Sequence, residues 1–270
     1  MKNILLLTLA LAGGVGATLP AQAWPHERER GFGTFQRSGS YQNSRGGSGT
    51  FSSSYSHTPG SNSGSFARTN ASGGTFTHTF NNNWNTSTGT GTHESSSTYA
   101  NGKTSSSQGN FTRTAPGDYS YSGTHTGVNG QTTDVSRTSS FNSSTDTRTV
   151  DSTYTNPTTD KSATVDKTVA YNPSAGTRTV DKTLTGANGK TVTSDQTFTK
   201  SNDGYTKQGT VTGPNGKTAT DGSTVTYTHD SNGEITRDQT SEVTGPNGKV
   251  HTGSNTETYT QNYTPPSSQP

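Results

Sequence analysis

Seven histidines, His26, His57, His78, His93, His125, His229 and His251, are the side chains here best suited to move protons or hold a metal near neutral pH. They stand far apart, and none falls in a His-Glu-x-x-His or comparable ligand spacing. There is no cysteine, which removes thiolate chemistry and disulfide staples together. Serine and threonine are so common that a Ser/His/Asp triad could be drawn almost anywhere, so such a drawing carries no information. Catalytic carboxylates need burial to shift their pKa values, and a polar chain of this kind offers little. The sequence predicts no enzyme, no catalytic residues and no cofactor.

Metal and surface chemistry fare little better. Cleavage before Trp24 would leave Trp24-Pro25-His26 at a free amine. A square-planar copper or nickel chelate needs the amide nitrogen of the second residue, which Pro25 cannot give up. Asn202-Asp203-Gly204 and Asp230-Ser231-Asn232-Gly233-Glu234 put oxygens on tight turns, without the spaced acidic run of a calcium loop. Thr-x-Thr recurs, as at Thr224/Thr226/Thr228 and Thr256/Thr258/Thr260, a pattern that ice-binding solenoids share. Asp151, Asp166 and Asp181 interrupt that face, and strand propensity explains the threonines equally well. No metal site is expected. The residues best placed to touch a partner are aromatic: Phe32, Phe35, Tyr41, Tyr154, Tyr171, Tyr205, Tyr227 and Tyr259, as self-association or glycan-stacking platforms.

These side chains must be held by repeated short elements. Thr149-Val150-Asp151, Thr164-Val165-Asp166 and Thr179-Val180-Asp181 recur at an interval of fifteen residues, and a fixed period marks a repeat architecture. Turn phrases keep a similar spacing from Asn101-Gly102 to Asn247-Gly248. Asn-Gly suits a two-residue type I′ hairpin turn, which needs two positive-φ positions. Between turns, apolar and polar residues alternate: Arg148, Val150, Ser152 and Tyr154 share one strand face, and Thr147, Thr149, Asp151 and Thr153 the other. The predicted fold is all-β, a repetitive antiparallel hairpin meander over 75–262. A β-solenoid stacking Val150, Val165 and Val180 is the alternative. Because the interval wanders, the meander is preferred.

Composition explains why pairing must replace packing. After residue 23 the chain holds one leucine, Leu184, and one isoleucine, Ile235. Leucine, isoleucine, valine and phenylalanine together make about 9% of residues 24–270, against the roughly 20% below which chains tend to be disordered. A net charge of +2 argues against a self-repelling polymer, although a mostly disordered chain is a third possibility. Residues 1–23 read as a secretory signal peptide: Lys2, an apolar run from Ile4 to Ala12, and cleavage between Ala23 and Trp24 after Ala21-Gln22-Ala23. The apolar run is too short to span a bilayer, so no integral membrane anchor is expected. Residues 24–74 read as a disordered Gly/Ser/Arg/aromatic arm. Its charge of about +3 is too dilute to attract nucleic acid or membrane strongly. Residues 263–270 read as a proline-rich disordered tail.

The phrase Val/Leu-Thr-Gly-x-Asn-Gly-Lys, at Leu184 to Lys190, Val211 to Lys217 and Val243 to Lys249, resembles the Thr/Gly/Asn-rich tandem repeats of uncharacterised secreted bacterial proteins. Tyr227 to Thr236 is similar to one hairpin unit of YD-repeat proteins, without their adjacent Tyr-Asp pair. Neither resemblance implies a chemistry. Taken together, these features predict a secreted, non-enzymatic adhesive or matrix protein. Exposed strand edges and aromatic residues would join like chains, with many weak repeats acting together. The alternatives are a polysaccharide-binding surface module and, behind it, an ice-binding protein.

Overall fold

The computed structural model describes residues 32–264, and the proposed leader and its Ala23/Trp24 cleavage site lie outside them. Sixteen strands follow one another: β1 Gly33–Asn43, β2 Ser48–Thr58, β3 Ser61–Asn70, β4 Thr75–Asn85, β5 Thr90–Thr98, β6 Thr104–Ala115, β7 Asp118–Thr126 and β8 Thr132–Asn142. The second half runs through β9 Thr147–Asn156, β10 Lys161–Asn172, β11 Thr177–Thr185, β12 Thr191–Lys200, β13 Gly204–Thr212, β14 Thr218–His229, β15 Glu234–Thr244 and β16 Val250–Thr264. Each strand pairs antiparallel with the next, and β1 pairs with β16 from Thr34↔Thr264 to Asn43↔Asn255. The meander therefore closes on itself as a barrel.

The structure corrects four expectations. The meander is not open, and the solenoid is excluded. Val165 faces Leu184 and Ser152, whereas Val180 faces Val169, so Val150, Val165 and Val180 form no stacked ladder. The supposed arm supplies β1, β2 and β3 from residue 33 onward. Its alternation was hidden because serine and glycine take many of the positions that threonine and valine occupy later. The first two residues of the expected tail, 263 and 264, belong to β16, and the rest of it lies outside the described residues.

The Asn-Gly hairpins also differ from the expected turn. Gly186 N–H donates to the Lys190 carbonyl at 2.8 Å, and Gly189 N–H to the Gly186 carbonyl at 2.8 Å. Only Gly189 has positive φ, at 74°. This is a type I turn followed by a left-handed glycine, the three-residue hairpin with a bulge. The Asn188 side chain accepts the Lys190 N–H at 3.1 Å, which explains why asparagine is needed even without a left-handed backbone.

The backbone of each strand lies close only to its two ladder neighbours, so the interior is a lumen instead of a second packed layer. Strand alternation sorts the side chains completely. Seven consecutive strands, β3 to β9, line one cleft through Trp84, Phe111, Tyr121, Arg137 and Tyr154. The buried strand side chains, among them Val135, Phe198, Val225, Tyr259 and Arg237, all belong to this same face, and such crowding is what the concave side of a curved wall produces, so we assign it as the inward face. Following the registers around the ring, every strand aromatic whose burial is described shares it. Among the described strand residues the outward face is serine, threonine, asparagine and glutamine with carboxylates, and its few apolar side chains are Ala67, Ala115, Ala170 and Val250.

Candidate functional site: the lumen

Because no second layer fills the barrel, inward side chains must pack sideways along the wall. They do so over glycines. Trp84, Gly91 and Phe111 are successive cross-strand partners, and the two rings stack at 5.0 Å and 8° across the glycine. Tyr55, Gly64 and Phe80 repeat the arrangement with rings 6.2 Å apart, as do Phe51, Gly39 and Tyr259 at 6.1 Å. A Cβ on Gly64 would meet the Phe80 ring at 2.5 Å. Each aromatic pair adds about 0.5–1.5 kcal/mol beyond its buried area. Arginines extend these clusters: Arg68 lies 3.7 Å from the Tyr41 ring centre, Arg178 4.2 Å from Phe198, and Arg37 4.5 Å from Tyr259. Flat guanidinium groups stack well on such faces.

The charges are sorted as sharply as the rings. Every lysine and arginine within the strands points inward: Arg37, Arg68, Arg113, Arg137, Arg148, Lys161, Lys167, Arg178, Lys182, Lys200, Lys207 and Arg237. Among the described strand residues Asp221 and Glu257 are the carboxylates that share this parity, and Asp118 at the start of β7 also borders the cleft. Asp221 pairs with Lys207, and Glu257 lies 3.8 Å from Arg237. Carboxylates otherwise face outward, as with Asp134, Asp151, Asp166, Asp181, Asp195 and Asp238.

The densest part of this lining spans β8 to β11. Lys167 and Lys182 sit directly opposite each other, an arrangement that costs stability between like charges. The Lys167 ammonium is held below its ordinary pKa by burial first, then by Arg178, Lys182 and Arg137. Arg137 reaches Ser152 at 3.1 Å, and Arg148 reaches Ser139 at 2.8 Å. A neighbouring polar chain crosses β3 to β5, where Asn82 bonds both Asn62 and His93. Burial likewise lowers the pKa values of His78 and His93, with Arg137 adding to the effect on His93. Of these groups, Asn62, Asn82, His93, Arg137 and Arg148 border a cleft of about 720 Å³.

Of the expected partner-facing aromatics, Phe35, Tyr41, Tyr154, Tyr171, Tyr205, Tyr227 and Tyr259 belong to strand positions of this lining. Phe32 precedes β1 and meets His57 at 5.0 Å between ring centres. The structure spreads them around the ring instead of gathering them into one patch. The cations were the group missed. The shared parity of Arg148, Val150 and Tyr154 was the available signal, and it needed only to be carried around all sixteen strands. Among the described residues no three His, Asp or Glu side chains converge as metal ligands. The Asp230 carboxylate accepts the Asn232 and Glu234 N–H groups.

Closure overturns the adhesive mechanism. Every strand edge is paired, so no edge remains to recruit a like chain or an extended polymer, and the aromatics intended for that contact line the inside. The same placement removes the polysaccharide-stacking surface, and curvature removes the flat threonine array of the ice-binding reading. The exclusion of an integral membrane anchor also falls. No described helix is long and apolar enough to cross a membrane, but a closed barrel satisfies its backbone internally and is the other architecture that spans bilayers.

Comparison with known proteins adds context. No family model matches the chain, and no curated protein matches it. Among solved structures, the chain is similar to a bacterial polysaccharide outer membrane secretin at 6% identity and a TM-score of 0.49, covering 85% of this chain and 97% of that one. It is also similar to the translocator domain of autotransporter NalP from Neisseria meningitidis, at 11% identity and a TM-score of 0.36, covering 95% and 97%.

Proposed function

We propose that this chain is an exported, non-catalytic β-barrel that works through its lumen, holding or passing an extended anionic polymer. The observation that supports this reading is the confinement of all twelve strand cations to the inward face, with two carboxylates beside them. A concave wall carrying one sign of charge focuses the field of such charges and concentrates counter-ions. The Lys167–Lys182 pair is the sharpest element. Opposed ammonium groups weaken the empty barrel, and an anion bridging them would repay that cost. Arginines stacked on rings present guanidinium edges in fixed directions, suited to paired oxygens of phosphate or carboxylate. Residues 1–23 would serve as the export signal.

Titrating the purified mature chain with fluorescent inorganic polyphosphate tests this. Log affinity should fall linearly with log salt, as counter-ion release requires. Replacing Arg137, Lys167 and Lys182 together by glutamine should weaken binding about 10- to 100-fold, at roughly 1 kcal/mol or less per contact. Replacing outward Asp151 and Asp181 by asparagine should leave affinity within about twofold. Absence of binding, or equal affinity in the lumen variant, would overturn the reading.

A further inference from the structure

In an up-and-down barrel, alternate hairpins lie at opposite ends, so the turns can be sorted by mouth. The hairpins after β1, β3, β5, β7, β9, β11, β13 and β15 share one end. They carry Arg45, Lys103, Lys161, Lys190, Lys217 and Lys249, all exposed, against the single carboxylate of Asp160. Among the described residues, the turns of the other end carry Asp118, Asp146, Asp203, Asp230 and Glu234 against Lys200, with Arg113 and Arg148 reaching in to the Ala115 and Gly117 carbonyls. Among the described turn residues, one rim is strongly basic and the other carries mostly carboxylates.

The basic rim is built, not incidental to an exposed loop. Five of its six cations follow an asparagine whose side-chain oxygen accepts a turn N–H. Arg45, Lys103, Lys190, Lys217 and Lys249 each donate their own backbone N–H to such an oxygen, at 3.0 to 3.3 Å. The same backbone device therefore sets the starting direction of each cationic side chain around the mouth. These groups continue the lumenal charge into solvent, while the acidic rim repels what the lumen attracts.

We infer that the basic rim is the entry port for the anionic polymer, giving the lumen a direction: one end captures the chain and the opposite end resists entry. This rests on the lumenal reading above. The ligand chemistry is a linear chain with closely spaced anionic groups. Phosphate and carboxylate versions share it, and inorganic polyphosphate and poly-L-glutamate serve as separate probes. Exposed charges far from the final contacts act mainly on encounter, so they change association rates more than dissociation rates.

Stopped-flow binding separates the two levels. Replacing Lys103, Lys190, Lys217 and Lys249 by glutamate should slow association about tenfold at low salt, with dissociation changed less than about twofold. The lumen triple variant should instead speed dissociation. Replacing Asp203 and Asp230 by lysine should leave association as fast as in the parent or faster, because it opens the second mouth. Parent-like association in the rim variant, with lumen variants still defective, would overturn the entry port and leave the lumenal reading intact. Failure of the parent to bind either probe would overturn both. A larger effect with polyphosphate assigns phosphate, and one with poly-L-glutamate assigns carboxylate. The rim variant's thermal unfolding, compared with that of the parent, excludes misfolding as the cause of either result.

Discussion

The two faces of the wall share one backbone and differ in nearly everything else. Outside, neighbours along a ladder are small hydroxyl residues, as in Ser140 and Thr149, whose side chains bond each other. Inside, large rings alternate with glycines, and cations with valines. The outside face asks little of any single residue. The inside face depends on fitted sequences such as Tyr55, Gly64 and Phe80. A strand with few apolar residues can therefore persist when its backbone is fully paired on both sides and its few large side chains lie flat over glycine. Hydrogen bonding holds the wall, and the inward face determines its chemistry.

The comparison is most severely tested at the seam between β1 and β16. Ser38 faces Thr260 on one side and Ser52 on the other. Ser38→Pro removes a ladder donor that closure has buried, and should cost at least about 2 kcal/mol. Amide exchange should then show lost protection in β16 as well as β1, although the two are distant in sequence. Protection lost in β1 alone would refute closure.

A smaller effect separates the faces directly. Gly64→Val drives a side chain into the Phe80 ring and should destabilise the barrel by about 1–3 kcal/mol. Ser65→Val, one residue along and facing out, should stay within about 0.5 kcal/mol. Equal losses in thermal unfolding would deny the inward–outward distinction.

Acid should act through the inside as well. His78 and His93 have folded-state pKa values below the ordinary value of 6.5. The unfolded chain therefore binds protons more readily, and stability falls as pH drops below about 6.5. Above that value the penalty is absent. His93→Gln should flatten the decline in Tm between pH 7 and pH 5. An unchanged acid limb would remove His93 from that role. Smallest of all, Asp151 and Asp166 are direct outward partners. Asp151→Asn should stabilise the fold by about 0.2–1 kcal/mol by relieving a like-charge pair, measured at low salt, where screening is least.

Much of the local structure was readable. Thr149-Val150-Asp151 alternates with a period of two, and the Asn-Gly-Lys turns fall where the hairpins are. The face shared by Arg148, Val150 and Tyr154 was correctly grouped. Reading stopped short in β1 to β3, where Ser52-Ser53-Ser54 and similar runs carry no apolar contrast to reveal alternation. The net charge of +2 concealed the lumenal site, because positive residues inside and negative residues outside cancel in a sum taken without regard to face.

Sequence alone determined the strands of the threonine-rich region, the places of their hairpins and the parity of their side chains, since these depend on neighbours a few residues apart. The tertiary structure decided that β1 meets β16, and therefore which face is concave. That choice follows from twist and curvature accumulated over sixteen strands, which no short stretch encodes. It converts an apparent array of exposed aromatics and scattered cations into the lining of a tube.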